Sequence, residues 1–368
     1  MITNWSEILE KIYEKELTVA DRNRDKIPYT TDESGVFDDW TQKDVCWWTN
    51  GFWAGLLWQL YAYRNNDIFR IAAEGIEEKL DRNLMASWGM DHDSGFRWLL
   101  TSGANYRITK SAASKNRLIL AASDLAGRFN PAGNFIRAWN DESGERAGWA
   151  IIDCMMNLPL LYRASVELHD PRFSQIAARH AATAQKYFVR EDGSCNHIVV
   201  FDPETGEYKE SLGGQGIGVG SSWTRGQSWA LYGFTLSHIH TGRADFLATA
   251  EKVAHYFISQ IPESGFIPVD FWQPRDLDFE DGTAAAIASC GLLELSRITG
   301  KPEYRDAAEK ILSALAEQRC DFTTDRDNIL THCSAAYHER RHNFPIIYGD
   351  YYFTEAILKI LGKETFLW

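Results

Sequence analysis

The sequence predicts an all-α fold, an (α/α)6 barrel of six inner and six outer helices in one domain spanning residues 1–368. Short β-hairpins are expected at its mouth. Three observations carry this. An apolar helix, a polar turn and an amphipathic helix recur along the chain. The first helix of each pair is apolar nearly all round, as a helix buried on both sides must be, and the second has one apolar stripe and one charged face. The C-terminal inner helix has no outer helix after it, and the N-terminus supplies one, so the ring can close where an open solenoid would not.

The elements follow in order. WSEILEKIYEKEL at the N-terminus is amphipathic and charged, an outer helix. The first clear pair is TNGFWAGLLWQLYAY, turn RNND, then IFRIAAEGIEEKL. A weaker pair is FRWLLTSGANYRI followed by KNRLILAASDLAGRF. The third is IIDCMMNLPLLYRASVEL, turn HDPR, FSQIAARHAATAQKYF. The fourth is TRGQSWALYGFTLSHI, turn HTGRAD, FLATAEKVAHYFISQI, and the fifth GTAAAIASCGLLELSRI, turn TGKPE, YRDAAEKILSALAEQ. GDYYFTEAILKILG is the last inner helix. The turns are rich in Asn, Asp, Gly and Pro, which stop and restart helices. Four of the outer helices start at equivalent aromatics: Phe69, Phe173, Phe246 and Tyr304. Two stretches, SCNHIVVFDPETGEYKES and GFIPVDFWQP, read as strand-like insertions at the mouth, where loops carry function.

The net charge of −13 argues against nucleic acid and anionic membranes as partners. No run of about 18 apolar residues offers a membrane span. The N-terminal stretch lacks the apolar segment of a signal peptide. The six cysteines form no CxxC pair and no zinc-like spacing, so free thiols in a reducing cytoplasm are expected. The chain holds 14 Trp and 15 Tyr, a composition suited to flat-faced, sugar-like ligands or to an aromatic core. The oligomeric state is not legible.

The junctions leading into the inner helices converge on one end of such a barrel. MDHDSGFRW places Asp91, His92 and Asp93 there, RAGWAIIDC places Asp153, and SSWTRGQSW places Trp223, Arg225, Gln227 and Trp229. A carboxyl buried among Ile, Trp and Met has a raised pKa, the state a general acid needs near neutral pH. Two carboxylates facing one cleft point to glycosidic chemistry. Asp153 reads equally as a helix cap or a buried hydrogen-bonded aspartate. Asp281, in EDGTAAA, reads as a cap. Arg225 between indoles reads as a carboxylate fork beside a stacking wall, or as a cation packed on aromatics. Trp48 and Trp139 are further stacking candidates. HERRH, residues 338–342, has the spacing of a zinc-binding helix, but Pro345 blocks the helix and two arginines repel a dication. No metal or other cofactor is expected.

Taken together, WTNGFWAGLLW, HDSGF, IIDCMMNLPLL, FDPETG, SSWTRGQSWALYGF, ASCGLLEL and GDYYFTEA resemble the unsaturated glucuronyl hydrolases, glycoside hydrolase family 88. The resemblance runs over almost the whole chain. It implies an (α/α)6 barrel and hydrolysis of oligosaccharides that end in a 4,5-unsaturated uronic acid, through hydration of the C4=C5 enol ether. It implies that Asp153 protonates the alkene and then helps activate water, in an apolar setting that keeps it protonated. Asp93 would be the second essential aspartate. His197, Gln215 and Arg225 would line the cleft, the last two near the uronate carboxylate or its water, and Trp48, Trp139, Trp223 and Trp229 would wall it. Some members carry an S-x-x-S-x-K motif and prefer sulfated disaccharides. Ala336, Glu339 and Arg341 stand at those positions here, so a sulfate site there is in doubt, although Arg340 and Arg341 keep positive charge nearby. Three rival readings are an unsaturated rhamnogalacturonyl hydrolase, an inverting glycosidase acting on saturated chains, and a non-catalytic carbohydrate-binding homologue.

Overall fold

The computed structural model describes residues 3–368, and it contains the predicted two shells. Helix α1 (Trp5–Arg22) is followed by α2 (Phe52–Arg64) and α3 (Asp67–Leu84). Next come α4 (Ser94–Trp98) and α5 (Ala104–Thr109), joined through a wide π-type turn at Leu99–Gly103 into one inner rod, then α6 (Ala112–Gly127). The later helices are α7 (Leu158–Leu168), α8 (Pro171–Tyr187), α9 (Thr224–Thr241), α10 (Ala244–Gln260), α11 (Gly282–Thr299), α12 (Pro302–Gln318) and α13 (Ile347–Ile360).

Each inner element packs on the next, from α2 through the α4–α5 rod, α7, α9, α11 and α13, and α13 returns to α2. The ring is closed. Each inner helix carries an outer one: α3 on α2, α6 on α4, α8 on α7, α10 on α9, α12 on α11, and the N-terminal α1 on α13. The division follows from composition. Every residue of α9 from Thr224 to Ser237 is buried, as is every residue of α11 from Gly282 to Leu295, whereas α1, α3 and α8 bury one stripe. The four turn aromatics Phe69, Phe173, Phe246 and Tyr304 are all buried at the start of their outer helices. At the barrel centre Phe52, Phe96, Trp229, Tyr352 and Trp368 pack edge to face or tilted, with Trp368 stacked on Tyr352. Offset and edge-on packing of this kind suits the ring quadrupoles.

Helix starts follow their predicted chemistry. Asn4, Asn66, Ser111, Asp170 and Asp281 each accept a main-chain N–H of the first turn. One start differs from expectation. The helix read from Ile151 begins at Leu158, after a short 3-10 turn at Ile152–Met156. Pro159 lies in the first turn of α7, has no N–H to give, and its ring cannot follow a preceding α-turn. Asp153 therefore stands in the 3-10 turn and caps nothing.

The hairpin predicted at the mouth forms as β4 (Ile198–Phe201) and β5 (Tyr208–Leu212), antiparallel, and a third strand, β3 (Trp149–Ile151), pairs with β4. Two-residue strands β1 (Phe129–Asn130) and β2 (Phe135–Ile136) make a separate ladder. GFIPVDFWQP forms only isolated bridges, Trp223 to Asp270 and Pro268 to Glu280. None of the six cysteines is disulfide-bonded. Among the described residues no helix is long and apolar enough to cross a membrane.

Candidate active site

A cleft of about 610 Å³ opens at the end of the barrel where the inner helices begin. Its lining includes Trp47, Trp48, Trp88, Asp91, His92, Asp93, Trp139, Arg146, Asp153, His197 and Gln215. Of the residues that the family resemblance assigned to catalysis or the cleft, Trp48, Asp93, Trp139, Asp153, His197 and Gln215 meet here.

Asp93 ends the loop before α4. Its N–H donates to Asp91 Oδ1 at 2.9 Å, and the Arg97 guanidinium donates to the same oxygen at 2.6 Å. This fixes the loop and leaves the Asp93 carboxylate pointing away from the helix it precedes, where it caps no N–H. Asn157 performs that task from the next inner element. Its Oδ1 accepts the Phe96 N–H at 2.8 Å, while its Nδ2 donates to Asp93 Oδ1 at 3.1 Å and to the main-chain oxygen of Asp153 at 3.2 Å. One fully buried amide thus ties the two aspartates together. The packing is close enough that a methyl on Gly95 would lie 2.6 Å from the Asn157 Cα.

Asp153 leaves β3 into its 3-10 turn, and its Oδ1 lies 3.5 Å from His197 Nε2, too long for a good hydrogen bond. No other group satisfies that buried oxygen. The His197 tautomer is set from behind. The Gln215 N–H donates to His197 Nδ1 at 2.9 Å, which puts the ring hydrogen on Nε2, facing Asp153. That contact requires Gly214. It adopts φ +57°, and a Cβ there would lie 1.9 Å from His197 Nδ1. The Gln215 side chain donates to the Ala335 carbonyl at 2.8 Å, anchoring a neighbouring loop.

The two carboxyls have opposite electrostatics. Burial lifts Asp93 well above the usual carboxylate range, and the charges of Asp91 and Asp153 add to it. Burial also pushes Asp153 upward, but His197, with Arg225 further off, outweighs it and draws Asp153 below its ordinary value. This corrects the expectation that an apolar setting keeps Asp153 protonated. Of the two, Asp93 is the one that burial disposes to hold a proton. Burial lowers His92 to about 4, so its ring is neutral beside Asp93, with Nε2 3.4 Å from Oδ2.

Four sequence expectations are placed elsewhere. Arg225 is buried behind the cleft; its Nη atoms donate to Asp281 Oδ2 at 2.7 Å, Thr283 Oγ1 at 3.3 Å, the Ser334 carbonyl at 2.6 Å and the Ala335 carbonyl, while its Nε has no partner. Its face packs on Trp223, with 4.5 Å between the guanidinium carbon and the ring centre. It fastens the Ser334–Ala335 loop from behind the cleft. Trp223 packs against the His197 ring at 4.3 Å and supports it from outside the cleft. Trp229 is core, against Phe96 and Tyr352. Arg341 is exposed over Phe344 and off the cleft.

HERRH lies in a loop. His338 Nε2 contacts the Ile217 carbonyl at 2.9 Å, and His342 stacks face to face on Phe279 at 3.7 Å. The two rings are committed separately, and no group of three or more metal-ligating side chains occurs among the described residues. Sequence reading missed Asn157 and Arg146. A lone Asn four residues after Asp153 in an apolar run was the available signal for Asn157, since i and i+4 share a helix face. Arg146, in the loop DESGERAG, had none beyond its charge.

Comparison with known proteins agrees with this geometry. The profile described as Glycosyl Hydrolase Family 88 matches residues 19–248. The chain is 34% identical over 363 residues to an unsaturated glucuronyl hydrolase of Bacillus sp. (strain GL1), covering 94% of this chain and 93% of that one. It is 32% identical to an unsaturated chondroitin disaccharide hydrolase of Streptococcus pneumoniae, over 87% of this chain and 83% of that one. Among solved structures, the Bacillus sp. GL1 enzyme superposes with a TM-score of 0.89 at 32% identity, covering 97% of each chain. The unsaturated glucuronyl hydrolase of Streptococcus agalactiae gives 0.91 at 28% identity, covering all of this chain and 95% of that one. With its closed double ring of helices and a matching profile over more than half its length, the chain belongs to glycoside hydrolase family 88.

Proposed function

We propose that the protein is an unsaturated glucuronyl hydrolase. Its substrates are lyase-generated, glycosaminoglycan-type oligosaccharides ending in a 4,5-unsaturated uronic acid, and it releases 4-deoxy-5-keto-uronate and the remaining sugar. The observation that carries this reading is the pairing of Asp93 with Asp153, bridged by Asn157 on the floor of an indole-walled cleft. Relatives named for this activity on glucuronyl and chondroitin substrates support it.

The chemistry needs one proton donor that becomes a base. Asp153 gives its proton to C4, the π electrons of C4=C5 forming the new C–H bond. The cation left at C5 is shared with the ring oxygen. The Asp153 carboxylate then takes a proton from water as the water oxygen bonds to C5. The hemiketal opens by breaking the bond between C5 and the ring oxygen, which keeps a proton and leaves a ketone at C5. The hemiacetal now at C1 expels the second sugar as an alcohol. One water is consumed and the anomeric carbon is never attacked.

In the free site burial favours a proton on Asp93, and His197 favours a charge on Asp153. Substrate changes this balance. Its carboxylate adds negative charge and its body displaces water, and both disfavour a charge on Asp153. The proton of the pair then serves C4 from Asp153, and Asp93 as a carboxylate accepts hydrogen bonds from sugar hydroxyls. His197, fixed by Gln215 and Gly214, holds the Asp153 carboxylate once it has donated. Trp48 and Trp139 wall the sugar faces, as indoles do for pyranose rings. We read residues 1–368 as one barrel domain, and we assign the reaction to the cytoplasm, in keeping with six unpaired thiols.

The test offers the purified protein unsaturated disaccharides from chondroitin, hyaluronan, heparin and rhamnogalacturonan and follows the ultraviolet absorbance of the conjugated enol ether. Absorbance is expected to fall with release of the partner sugar, fastest on a glycosaminoglycan disaccharide. Unchanged absorbance on all four, with the fold intact, overturns the proposal.

A further inference from the structure

The substrate proposed above is an anion, yet the cleft is lined by Asp44, Asp91, Asp93 and Asp153. The two arginines that sequence pointed to are elsewhere, Arg225 locked onto Asp281 and Arg341 over Phe344. Among the described residues Arg146 is the one guanidinium lining the cleft. Its guanidinium carbon lies 5.4 Å from the ring centres of both Trp139 and Trp149, which are 6.0 Å from each other. An arginine resting on two indoles keeps its charge while its edge donors stay free. It makes no ion pair with a carboxylate among the described residues. Asp141, in the same loop, turns inward: its oxygens take the Ser143 N–H at 3.2 Å, the Ser143 hydroxyl at 2.7 Å and the Arg146 main-chain N–H at 3.0 Å. The loop is thus built around Arg146 while its side chain is exposed.

Position sets what it meets. Asp153 follows β3 and lies on the floor, and Arg146 precedes β3 on the rim. Trp139 lies between them, since the adjacent Ala138 carbonyl accepts the His92 N–H at 3.1 Å. A uronate over Asp153 leaves the next sugar beside Trp139 and Arg146. We propose that Arg146, on its Trp139–Trp149 platform, is a specificity residue for an oxyanion carried beyond the unsaturated sugar, paired through the guanidinium edge. Two sources present that chemistry: a sulfate ester on the leaving sugar, or the carboxylate of a further uronate.

The inference rests on the proposed hydrolase reading, so the test has a binding arm that needs no turnover. In the first arm, kcat/KM is measured by absorbance for wild type, Arg146→Ala and Arg146→Lys. The substrates are an unsulfated unsaturated disaccharide, one sulfated on the leaving sugar, and an unsulfated tetrasaccharide. In the second arm, tryptophan fluorescence follows binding of the saturated sulfated disaccharide, the unsulfated disaccharide and the unsulfated tetrasaccharide. Arg146→Ala is expected to lower kcat/KM about tenfold, mainly through KM, on whichever substrate carries the recognised oxyanion. The unsulfated disaccharide should change less than about twofold, and Arg146→Lys should restore part of the loss. A selective loss with the sulfated disaccharide identifies a sulfate ester, and one with the tetrasaccharide identifies the carboxylate. An equal fall on all three substrates overturns the proposal, as does no change on any. If absorbance never falls, the hydrolase reading fails separately, and the binding arm decides: Arg146-dependent preference for the sulfated disaccharide or the tetrasaccharide over the unsulfated disaccharide upholds the subsite, and the absence of both ends it.

Discussion

Removing the carboxylate of Asp281 separates two roles for Arg225. The Arg225–Asp281 pair is almost wholly buried, at 1% and 0% side-chain exposure, with Nη1 2.7 Å from Oδ2. Asp281→Ala leaves a buried guanidinium without its counter-charge, which costs about 3–5 kcal/mol. It also removes the α11 cap, where Asp281 Oδ1 accepts the Thr283 N–H at 3.1 Å, worth about 1 kcal/mol. Unfolding entropy for 368 residues is about 0.8 kcal/mol/K. The combined loss of about 4–6 kcal/mol therefore lowers Tm by about 5–8 °C. Arg225→Met loses the same pair from the other side, and joining it with Asp281→Leu should recover much of the loss, because neither charge is then left alone in the interior. Calorimetric or circular-dichroism melts without any saccharide read this directly. A wild-type Tm in Arg225→Met, accompanied by a raised KM, would refute the reasoning and return Arg225 to the substrate.

Asp153→Asn and Asp93→Asn should each lower kcat by at least about a thousandfold with the helical spectrum intact, as measured by single-turnover absorbance. Asp93 has a folded pKa above its unfolded one, so the native state keeps a proton that the unfolded chain loses, and this group's contribution to stability falls as pH rises from the unfolded value toward the folded one. Asp93→Asn cannot ionise, so its Tm relative to wild type should rise from pH 4 to pH 7, in melts run at both ends. The same proton should give kcat/KM an alkaline limb above the ordinary carboxylate range, absent from the residual activity of Asp93→Asn. Gly214→Ala brings a methyl within 1.9 Å of His197 Nδ1 at a positive φ, and should lower kcat/KM about tenfold or more with His197 displaced in its crystal structure.

The barrel was legible because its two helix types differ in composition. TAAAIASCGLLEL can only be buried all round, and AAEKILSALAEQ has one apolar stripe. The hairpin carrying His197 announced itself by alternation around a turn. Strand β3 did not, because WAI runs straight into IIDCMM and the whole reads as one apolar helix until Pro159 interrupts it. Within the site, Asp93 and Asp153 sit in local motifs. The charge on Asp153 is set by His197, 44 residues on, and no local window contains that contact. Arg225 shows the same limit: an arginine between indoles has one sequence pattern whether it faces a ligand or a carboxylate 56 residues away. Trp229 is indistinguishable from a cleft wall until Phe96 and Tyr352 close over it.

The central claim is that Asp153 protonates an alkene carbon and no residue attacks the anomeric one. It is tested most directly by comparing O-linked and S-linked phenyl glycosides of the unsaturated uronic acid. Hydration leaves the glycosidic bond alone until the ring has opened, so the account predicts loss of the enol-ether absorbance at comparable rates for both, and for neither with Asp153→Asn. Release of phenol from the O-glycoside with the absorbance retained, and an inert S-glycoside, would contradict it.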